Sequence, residues 1–542
     1  MAVNITVPNL SKRVVADVET SPAEVEKWLH GLPLLNLGET ARKLFSILNV
    51  HNRIQLDRAD RLTILELFRE PVQHVYRELQ KQYLGVPLPM PERIRSIAER
   101  NREFQLEMGA GYKRIVLENG DLDSLKPKDR KRASHVVPIH RAIQYLTRAL
   151  SVCYEVYAPY PKNLWREIHE LYRYADSAGI ADVKIDDALN TIEPAVTIAD
   201  AYKQALLLDL CDPYHLAPRN ISKVYRYLER SAPLAEISPA TAPTSNVRQF
   251  LIHLSSDRSG IIRPSDTVPN PPNDYRFLNP MKLALLAQTQ WNALQQRQLV
   301  NELEPEFLAD GGRDLLKQLI NSWGVNPQRI YRRQTKSKFK VEVAVGIDHI
   351  AVLINDGRPP VPSSTFVGPI PKKTAVGDKD AVTKDKEQAP KSSSWDVQDE
   401  SAGGLAFSKT GAIKTPVRVG DLIGIRAQPP NGNWSVGVVR WARSANPSEV
   451  EFGAQRLAPN AEPILIKVLN EEGKESEFTT ALRLPEVPQL KQSGTLLTPR
   501  GTYQFGRLIV VDDGARQQRV TASESIEISA AFEQFQFKLE NN

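Results

Sequence analysis

A short polar stretch in the second half of the chain carries side chains that can bind a ligand. In DESAGG, Asp399, Ser401 and Gly404 form a D-x-S-x-x-G pattern, with a further glycine at Gly403. A carboxylate accepts hydrogen bonds, a hydroxyl accepts and donates them, and glycines let backbone N–H groups approach a bound molecule. The simpler interpretation is a turn at the start of a strand, since Asp, Ser and Gly favour turns.

A cationic segment further upstream supplies complementary chemistry. The run NPQRIYRRQTKSKFK contains Arg329, Arg332 and Arg333 just before a stretch with strand periodicity. Guanidinium groups bind phosphate oxygens and the O6/N7 edge of guanine with paired hydrogen bonds. A carboxylate accepts from the N1–H and N2–H2 groups of the same base. Together the two segments suit a guanine nucleotide that carries more than one phosphate.

These two patterns resemble those of the PilZ domain, a bacterial receptor for cyclic di-GMP. That family has an R-x-x-x-R strap before the first strand of a six-stranded barrel and a later [D/N]-x-S-x-x-G. Arg329–Arg333 fits the first pattern and Asp399–Gly404 fits the second. The run Val419–Pro459 is similar to the family's later strands, which include a G-x-V-R/V-W strand. A long insert separates the two motifs more widely than is usual in the family.

The resemblance implies a ligand site and a role for it. The residues it assigns to cyclic di-GMP are Arg329, Arg332, Arg333, Asp399, Ser401, Gly403, Gly404 and Arg440. In a second register of the strap, Arg332 pairs with Lys336. Strand alternation puts Arg440 on the face opposite Trp441, which we expect in the core. We expect the dinucleotide to order the strap and transmit a conformational change to the helical region or to an unknown protein partner.

No pattern in the sequence indicates catalysis. The chain has no H-E-x-x-H, Walker, G-x-S-x-G or spaced-cysteine motif. His135 and His140 are five residues apart, so they do not share a helix face as a pair of metal ligands would. We therefore expect a protein that is not an enzyme, with no metal and no cofactor besides the ligand cyclic di-GMP.

The overall composition is that of a globular protein with nearly balanced charge. Of the 542 residues, 41% are hydrophobic, and 70 Lys and Arg stand against 64 Asp and Glu, which disfavours a general nucleic-acid binder. The chain contains two cysteines, no signal pattern at its start and no apolar run near the ~18 residues of a membrane span. We expect a cytoplasmic location.

The elements that must position the polar groups change character near residue 325. Before that point apolar residues recur at helical spacing, as at Leu62, Leu65 and Phe68, and similar stripes return later. Pro71 should kink this helix or start a second one. Paired helices broken by Pro or Gly predict an array with a repeat-like pattern, although without a fixed period.

After residue 325 short β-branched runs with Gly, Pro and Asn turns predict an antiparallel barrel. Its first runs, KFKVEVAVGIDHIAVLIN, predict strands on both sides of Gly346. Asp356–Ser394 is rich in Pro, Lys, Asp and Ser and predicts a disordered insert.

The predicted fold class is α+β and multidomain. An all-α helical region precedes a PilZ-like antiparallel β-barrel and a small C-terminal β unit. The predicted boundaries are an N-terminal arm 1–20, a helical region 21–325, the barrel 326–468 with its insert 356–394, and a C-terminal β extension 469–542.

Two other functions remain open at this point. A PilZ fold without a working ligand site would serve as a protein-interaction scaffold, and cyclic di-GMP would not raise its thermal midpoint. A nucleic-acid binder would use the Lys/Arg clusters at 126–132 and 329–340, and its affinity would fall steeply with salt.

Overall fold

The computed structural model describes residues 3–11, 18–190, 192, 195–240, 249–262, 270–324, 339–363, 391–401, 403–427, 432–446, 448–469, 475–486 and 493–540. The chain divides into a helical unit, Met1–Val86 with Met90–Gln328, and a barrel unit, Pro87–Pro89 with Arg329–Asn542. Among the described residues, no helix combines the length and the apolar composition that a membrane crossing requires.

The helical unit confirms the predicted helical region. Its described α-helices are α1 (Pro22–His30), α2 (Leu37–His51), α3 (Arg58–Tyr83), α4 (Glu92–Glu118), α5 (Pro127–Arg130), α6 (Ala133–Glu155), α7 (Leu164–Ser177), α8 (Ile198–Leu210), α9 (Pro218–Ser231), α10 (Met281–Gln295), α11 (Pro305–Leu308) and α12 (Gly312–Trp323). α3 runs through Pro71 as one helix, so no second helix starts there. Helix α6 lies in the centre of the unit, since nearly all of its side chains are buried.

Two small sheets in the helical unit were not predicted. The first pairs β1 (Ile185–Asp186) with β2 (Ala195–Val196). The second has the order β3-β6-β4-β5 and consists of β3 (Glu236–Pro239), β4 (Phe250–His253), β5 (Ile261–Ile262) and β6 (Tyr275–Asn279). Strands of two to five residues are too short to show a clear alternation in the sequence.

The barrel unit begins with a closed six-stranded antiparallel barrel, as predicted. Its strands are β7 (Phe339–Val345), β8 (Ser392–Ser401), β9 (Gly404–Thr410), β10 (Leu422–Ala427), β11 (Ser435–Asn446) and β12 (Glu449–Ala458). They follow the order β10-β11-β12-β9-β8-β7, and β7 pairs with β10 to close the barrel. Inside, the rings of Trp395, Phe407 and Phe452 are in contact.

The second predicted strand of this region is instead a helix, α13 (Ile347–Ile354). Gly346, with φ of +93°, turns the chain out of β7. The helix buries Ile347, Ile350 and Ala351, which recur at helical spacing. Gly424 of β10 gives it room, because a Cβ there would lie 3.2 Å from Ile350 Cγ1. The strand prediction is wrong because it weighted β-branched composition above this spacing.

The predicted insert is shorter than expected at its C-terminal end. Residues 364–390 lie outside the described residues. Ser392–Ser394, expected within the insert, form the start of β8. There Ser393 and Trp395 are buried at alternate positions, 7% and 1% exposed, so the strand's two-residue period already holds.

The C-terminal β unit is a second closed barrel. Its strands are β13 (Glu462–Val468), β14 (Thr479–Leu484), β15 (Thr495–Thr498), β16 (Leu508–Asp512), β17 (Gln517–Ile528) and β18 (Glu533–Leu539), in the order β13-β14-β15-β18-β17-β16. β13 was expected in the first barrel, so the division between the two barrels lies before Glu462 and not after residue 468. The sequence does not mark this division, because the connection from β12 to β13 has the same composition as the other turns. Leu422 of the first barrel and Phe532 of the second share one apolar cluster with α13.

Candidate ligand site on the first barrel

The D-x-S-x-x-G motif forms the turn between β8 and β9. Ser401 pairs with Gly404 across the turn, and Ser401 Oγ donates to the Gly404 carbonyl at 3.3 Å. The backbone N–H of Arg456 donates to the Gly403 carbonyl at 3.0 Å, which ties the turn to β12. The motif is therefore a hairpin turn, and its position in the barrel decides whether its side chains can also meet a ligand.

A β-bulge turns the motif's side chains outward. β8 pairs Val397 and Asp399 with successive residues of β9, so Gln398 is an extra residue. Strict alternation from the buried Val397 would place Asp399 and Ser401 on the interior side of the barrel. Because the bulge shifts the alternation by one residue, both side chains belong to the outward row; both are half-buried, and Asp399 Oδ1 is itself buried. Gln398 fixes the bulge by donating from its side chain to Ser408 Oγ.

The outer surface beside the turn is a floor of small residues. Gly404 has no space for a side chain, because a Cβ there would lie 2.3 Å from the Ala454 carbonyl oxygen of β12. The next outward pair on these strands is Ala406 and Gly453. Among the described residues, Gly404 and Ala406 carry nothing larger than a methyl group on this face, so a flat group can lie close to β9, whereas Gln455 and the Trp441 ring lie above β12.

Trp441 forms the far side of this floor. The pairing of β11 with β12 skips Arg440, so Trp441 lies opposite Gly453. The indole covers that glycine, because a Cβ on Gly453 would lie 1.9 Å from Trp441 Nε1. Trp441 is half-buried and not in the core as expected, since the bulge at Arg440 shifts the alternation. Asp399 of β8, Ala406 of β9, Gly453 of β12 and Trp441 of β11 therefore form one outward row across the four strands.

Arg440 lies beside this floor with its guanidinium bound to a carboxylate. Its two terminal nitrogens donate to Glu527 of the second barrel at 2.6 and 2.8 Å. Its Nε donates to Gln455 Oε1 at 2.8 Å, and Gln455 is the residue opposite Gly404. The predicted ligand residue therefore links the two barrels next to the motif.

The strap arginines Arg329, Arg332 and Arg333 lie outside the described residues. The first described residue after them is Phe339, at the start of β7, and it pairs with Val397 of β8. The chain thus enters the barrel on the strand next to β8, at the end where β8 carries the motif.

Comparison with known families separates the two barrels at the same place as the structure. Residues 23–242 match the family model described as "Cyclic-di-GMP receptor FimW, N-terminal domain", residues 366–463 match its "middle PilZ domain", and residues 464–540 match the "FimW C-terminal beta-barrel domain". The chain therefore contains a PilZ domain. The last two models meet at residue 464, within β13, which agrees with the place of that strand in the second barrel.

A relative of this PilZ protein is similar along almost its whole length. The cyclic-di-GMP receptor FimW of Pseudomonas aeruginosa is 26% identical, and the alignment covers 99% of this chain and 93% of the relative. The match to the PilZ model begins at residue 366, so the strap and β7 precede it.

Several features of this PilZ domain were not predicted from the sequence. The bulge at Gln398 and the outward position of Trp441 both interrupt an alternation that the sequence only suggests. An ion pair between Glu400 of the motif and Arg456 of β12, at 2.9 Å, also braces the turn. A glycine such as Gly453 leaves space for the ring of a residue on the next strand, which is the sequence signal for the position of Trp441. This signal can be used only once the strand register is known, because the register decides which residue lies opposite the glycine.

Proposed function

We propose that this PilZ protein is a receptor for cyclic di-GMP, which binds on the outer face of the first barrel between the β8–β9 turn and Trp441. The observation that best supports the proposal is the position of Asp399 and Ser401 on the outward row, beside the small residues Gly404 and Ala406 and in line with the Trp441 ring. The match to the middle PilZ domain of a protein named as a cyclic-di-GMP receptor supports the same ligand.

In this proposal Asp399 and Ser401 recognise one guanine of the ligand. The Asp399 carboxylate accepts from guanine N1–H and N2–H2, and hydrogen bonds of this kind to a charged group are the stronger ones. The Ser401 hydroxyl adds one further polar contact. Trp441 offers its ring to a purine face, and such stacking contributes about 1–3 kcal/mol per base.

The strap is proposed to hold the phosphates of the same ligand. Arg333 precedes Phe339 by six residues, and a chain of that length spans at most about 20 Å. This reach is long enough for the Arg333 guanidinium to contact a ligand at the adjacent β8–β9 turn. The arginines repel one another until the two phosphates of the dinucleotide neutralise them. The ordering of the strap, with no bond made or broken, is the signal that passes to the helical region or to a protein partner.

In the proposed complex, a ligand phosphate competes with the Glu527 carboxylate for the Arg440 guanidinium. A ligand phosphate above β12 can replace the Glu527 carboxylate as the anionic partner of the guanidinium. Ligand binding would then loosen a contact between the two barrels of the barrel unit. This makes Arg440 a coupling residue and not a free phosphate anchor.

Isothermal titration calorimetry of the full chain with cyclic di-GMP tests the proposed site. Arg333→Ala should weaken binding by about tenfold or more, because a paired phosphate contact is lost. Arg443→Ala, which removes an exposed arginine of β11, is the matched control and should bind like the wild type. Unchanged affinity in both Arg333→Ala and Asp399→Ala would show that the site is wrong. A wild type that does not bind would leave the barrel as an interaction scaffold.

A further inference from the structure

A polar cavity lies within the helical unit. Its volume is about 480 Å³, within the range of pockets that hold small organic molecules. It is lined by residues of α3, α6 and α9 and of the segment that follows β1. Its walls carry arginines, glutamines, serines and tyrosines, so the cavity suits a polar occupant and not an apolar one.

The α6 wall contains a buried cation, Arg148, whose nearest carboxylate among the described residues is beyond salt-bridge distance, although Glu229 interacts with it electrostatically. Arg148 is 9% exposed, and its guanidinium carbon lies 5.5 Å from the centre of the Tyr145 ring. Within the described part of the chain, no carboxylate forms a salt bridge with Arg148. A buried charge without an ionic partner is costly, and a bound anion would remove that cost.

Two neighbouring side chains present unsatisfied polar atoms at the same cavity. Gln144, on the turn of α6 before Arg148, is 9% exposed, and its buried Oε1 has no hydrogen-bond partner among the residues that the structure describes. Arg69 of α3 is 5% exposed and also lines the cavity. Its terminal nitrogens are bound to Glu66 and Asp187, while its Nε has no partner. The cavity therefore offers both a cation and an acceptor that the fold does not use.

The carboxylates around the cavity offset the charge of Arg148 only in part, through Glu229. Asp187 is held by Arg69 at 2.6 Å and by Arg141 at 2.7 Å. Glu155 is 2% exposed, and burial raises its pKa to about 7. Burial raises the pKa of Glu229 to about 7 as well. Near neutral pH both carboxyls are partly protonated, so the interior of the cavity keeps a positive excess.

We propose that this cavity is a second ligand site, for a small organic anion that carries a phosphate or carboxylate group together with hydroxyl groups. The anionic group binds Arg148, and a hydroxyl of the ligand donates to Gln144 Oε1. The hydroxyls of Ser151 and Ser222, which also line the cavity, lie on the Glu155 side and contact the rest of the ligand. The site lies wholly in the helical unit, so it does not depend on the function proposed for the barrel.

Calorimetric titration of the full chain with inorganic phosphate, ribose 5-phosphate and citrate tests this site. We expect saturable binding of at least one probe with a Kd of about 1 mM or tighter. Tighter binding of inorganic phosphate and ribose 5-phosphate would indicate a phosphate ligand, and tighter binding of citrate would indicate a carboxylate ligand. Failure of all three probes to bind would overturn the proposal.

Variants locate the binding. Arg148→Gln should weaken it by about tenfold or more, because it removes the charged donor. The control Arg132→Gln changes the same charge at an exposed arginine, whose side chain is 69% exposed and bound to Asp129, and should have no effect. Should Arg148→Gln fail to fold, Gln144→Leu carries the test, with a loss of about threefold or more for the ribose phosphate. A probe that binds equally well to the wild type and to these cavity variants would contradict the site.

Discussion

Removal of the Asp399 carboxylate should weaken cyclic di-GMP binding without lowering the stability of the barrel. Asp399 is half-buried on the outer face opposite Ala406, so alanine in its place removes little packing. In the proposed complex the carboxylate accepts two hydrogen bonds from guanine, each contributing about 1.5–3 kcal/mol because the acceptor is charged. Because Asp399→Ala removes both hydrogen bonds, we take the low end of the range for each and expect the binding free energy to weaken by about 3 kcal/mol. At about 1.4 kcal/mol per factor of ten, this is roughly 150-fold weaker binding.

The assay compares Asp399→Ala with Asp396→Ala by titration with cyclic di-GMP. Asp396 lies on the same strand, opposite Ser408 and beyond the bulge at Gln398. Its removal changes the same charge on β8, and we expect an effect within about twofold. Thermal midpoints of both variants should stay close to that of the wild type. If the affinity of Asp399→Ala is within about threefold of the wild type, or if Asp396→Ala loses as much affinity as Asp399→Ala, the Asp399 carboxylate does not bind the guanine base.

Three further predictions follow from other contacts. Trp441→Leu should weaken cyclic di-GMP binding by about tenfold, because the stacking surface is lost, while Trp441→Phe should retain most of it; equal affinity in the leucine variant would remove Trp441 from the site. Glu527→Gln should tighten binding by about fivefold, because the guanidinium of Arg440 loses its competing charge; unchanged affinity would assign Arg440 to the contact between the barrels alone. In the helical unit, burial raises the pKa of Glu155 from 4.5 to about 7. The folded state therefore holds this proton more tightly than the unfolded state, and stability falls by about 3 kcal/mol as the pH rises from 4.5 through 7. Thermal midpoints measured between about pH 5 and pH 8 should fall less in Glu155→Gln than in the wild type, and equal slopes would contradict the assignment.

The sequence predicts element types well where a period is long, and poorly where two signals conflict. The stripe of α3 predicts helix on both sides of Pro71 but leaves open whether the proline starts a second helix, and the structure has one helix there. Ile347–Ile354 is apolar and β-branched, so composition predicts a strand. The buried positions Ile347, Ile350 and Ala351 have helical spacing, and packing against β10 selects the helix.

The candidate site could be predicted in part for a related reason. Asp399, Ser401 and Gly404 form a recognisable motif, and their place next to the first strand follows from the order of the strands. Which face they occupy depends on a single extra residue, Gln398, because one residue reverses the whole alternation of a strand. The same holds for Trp441, whose outward position depends on the bulge at Arg440.

Hydrogen exchange measured by mass spectrometry on the full chain, with and without cyclic di-GMP, tests whether the ligand binds between the strap and the motif. We expect the ligand to slow exchange in two separate stretches at once, residues 329–338 of the strap and residues 399–406 of the β8–β9 turn. Cyclic di-AMP at the same concentration should leave both stretches unchanged. Protection by cyclic di-GMP that spares either stretch, or that falls only in the helical unit, would contradict a site closed between the strap and the motif.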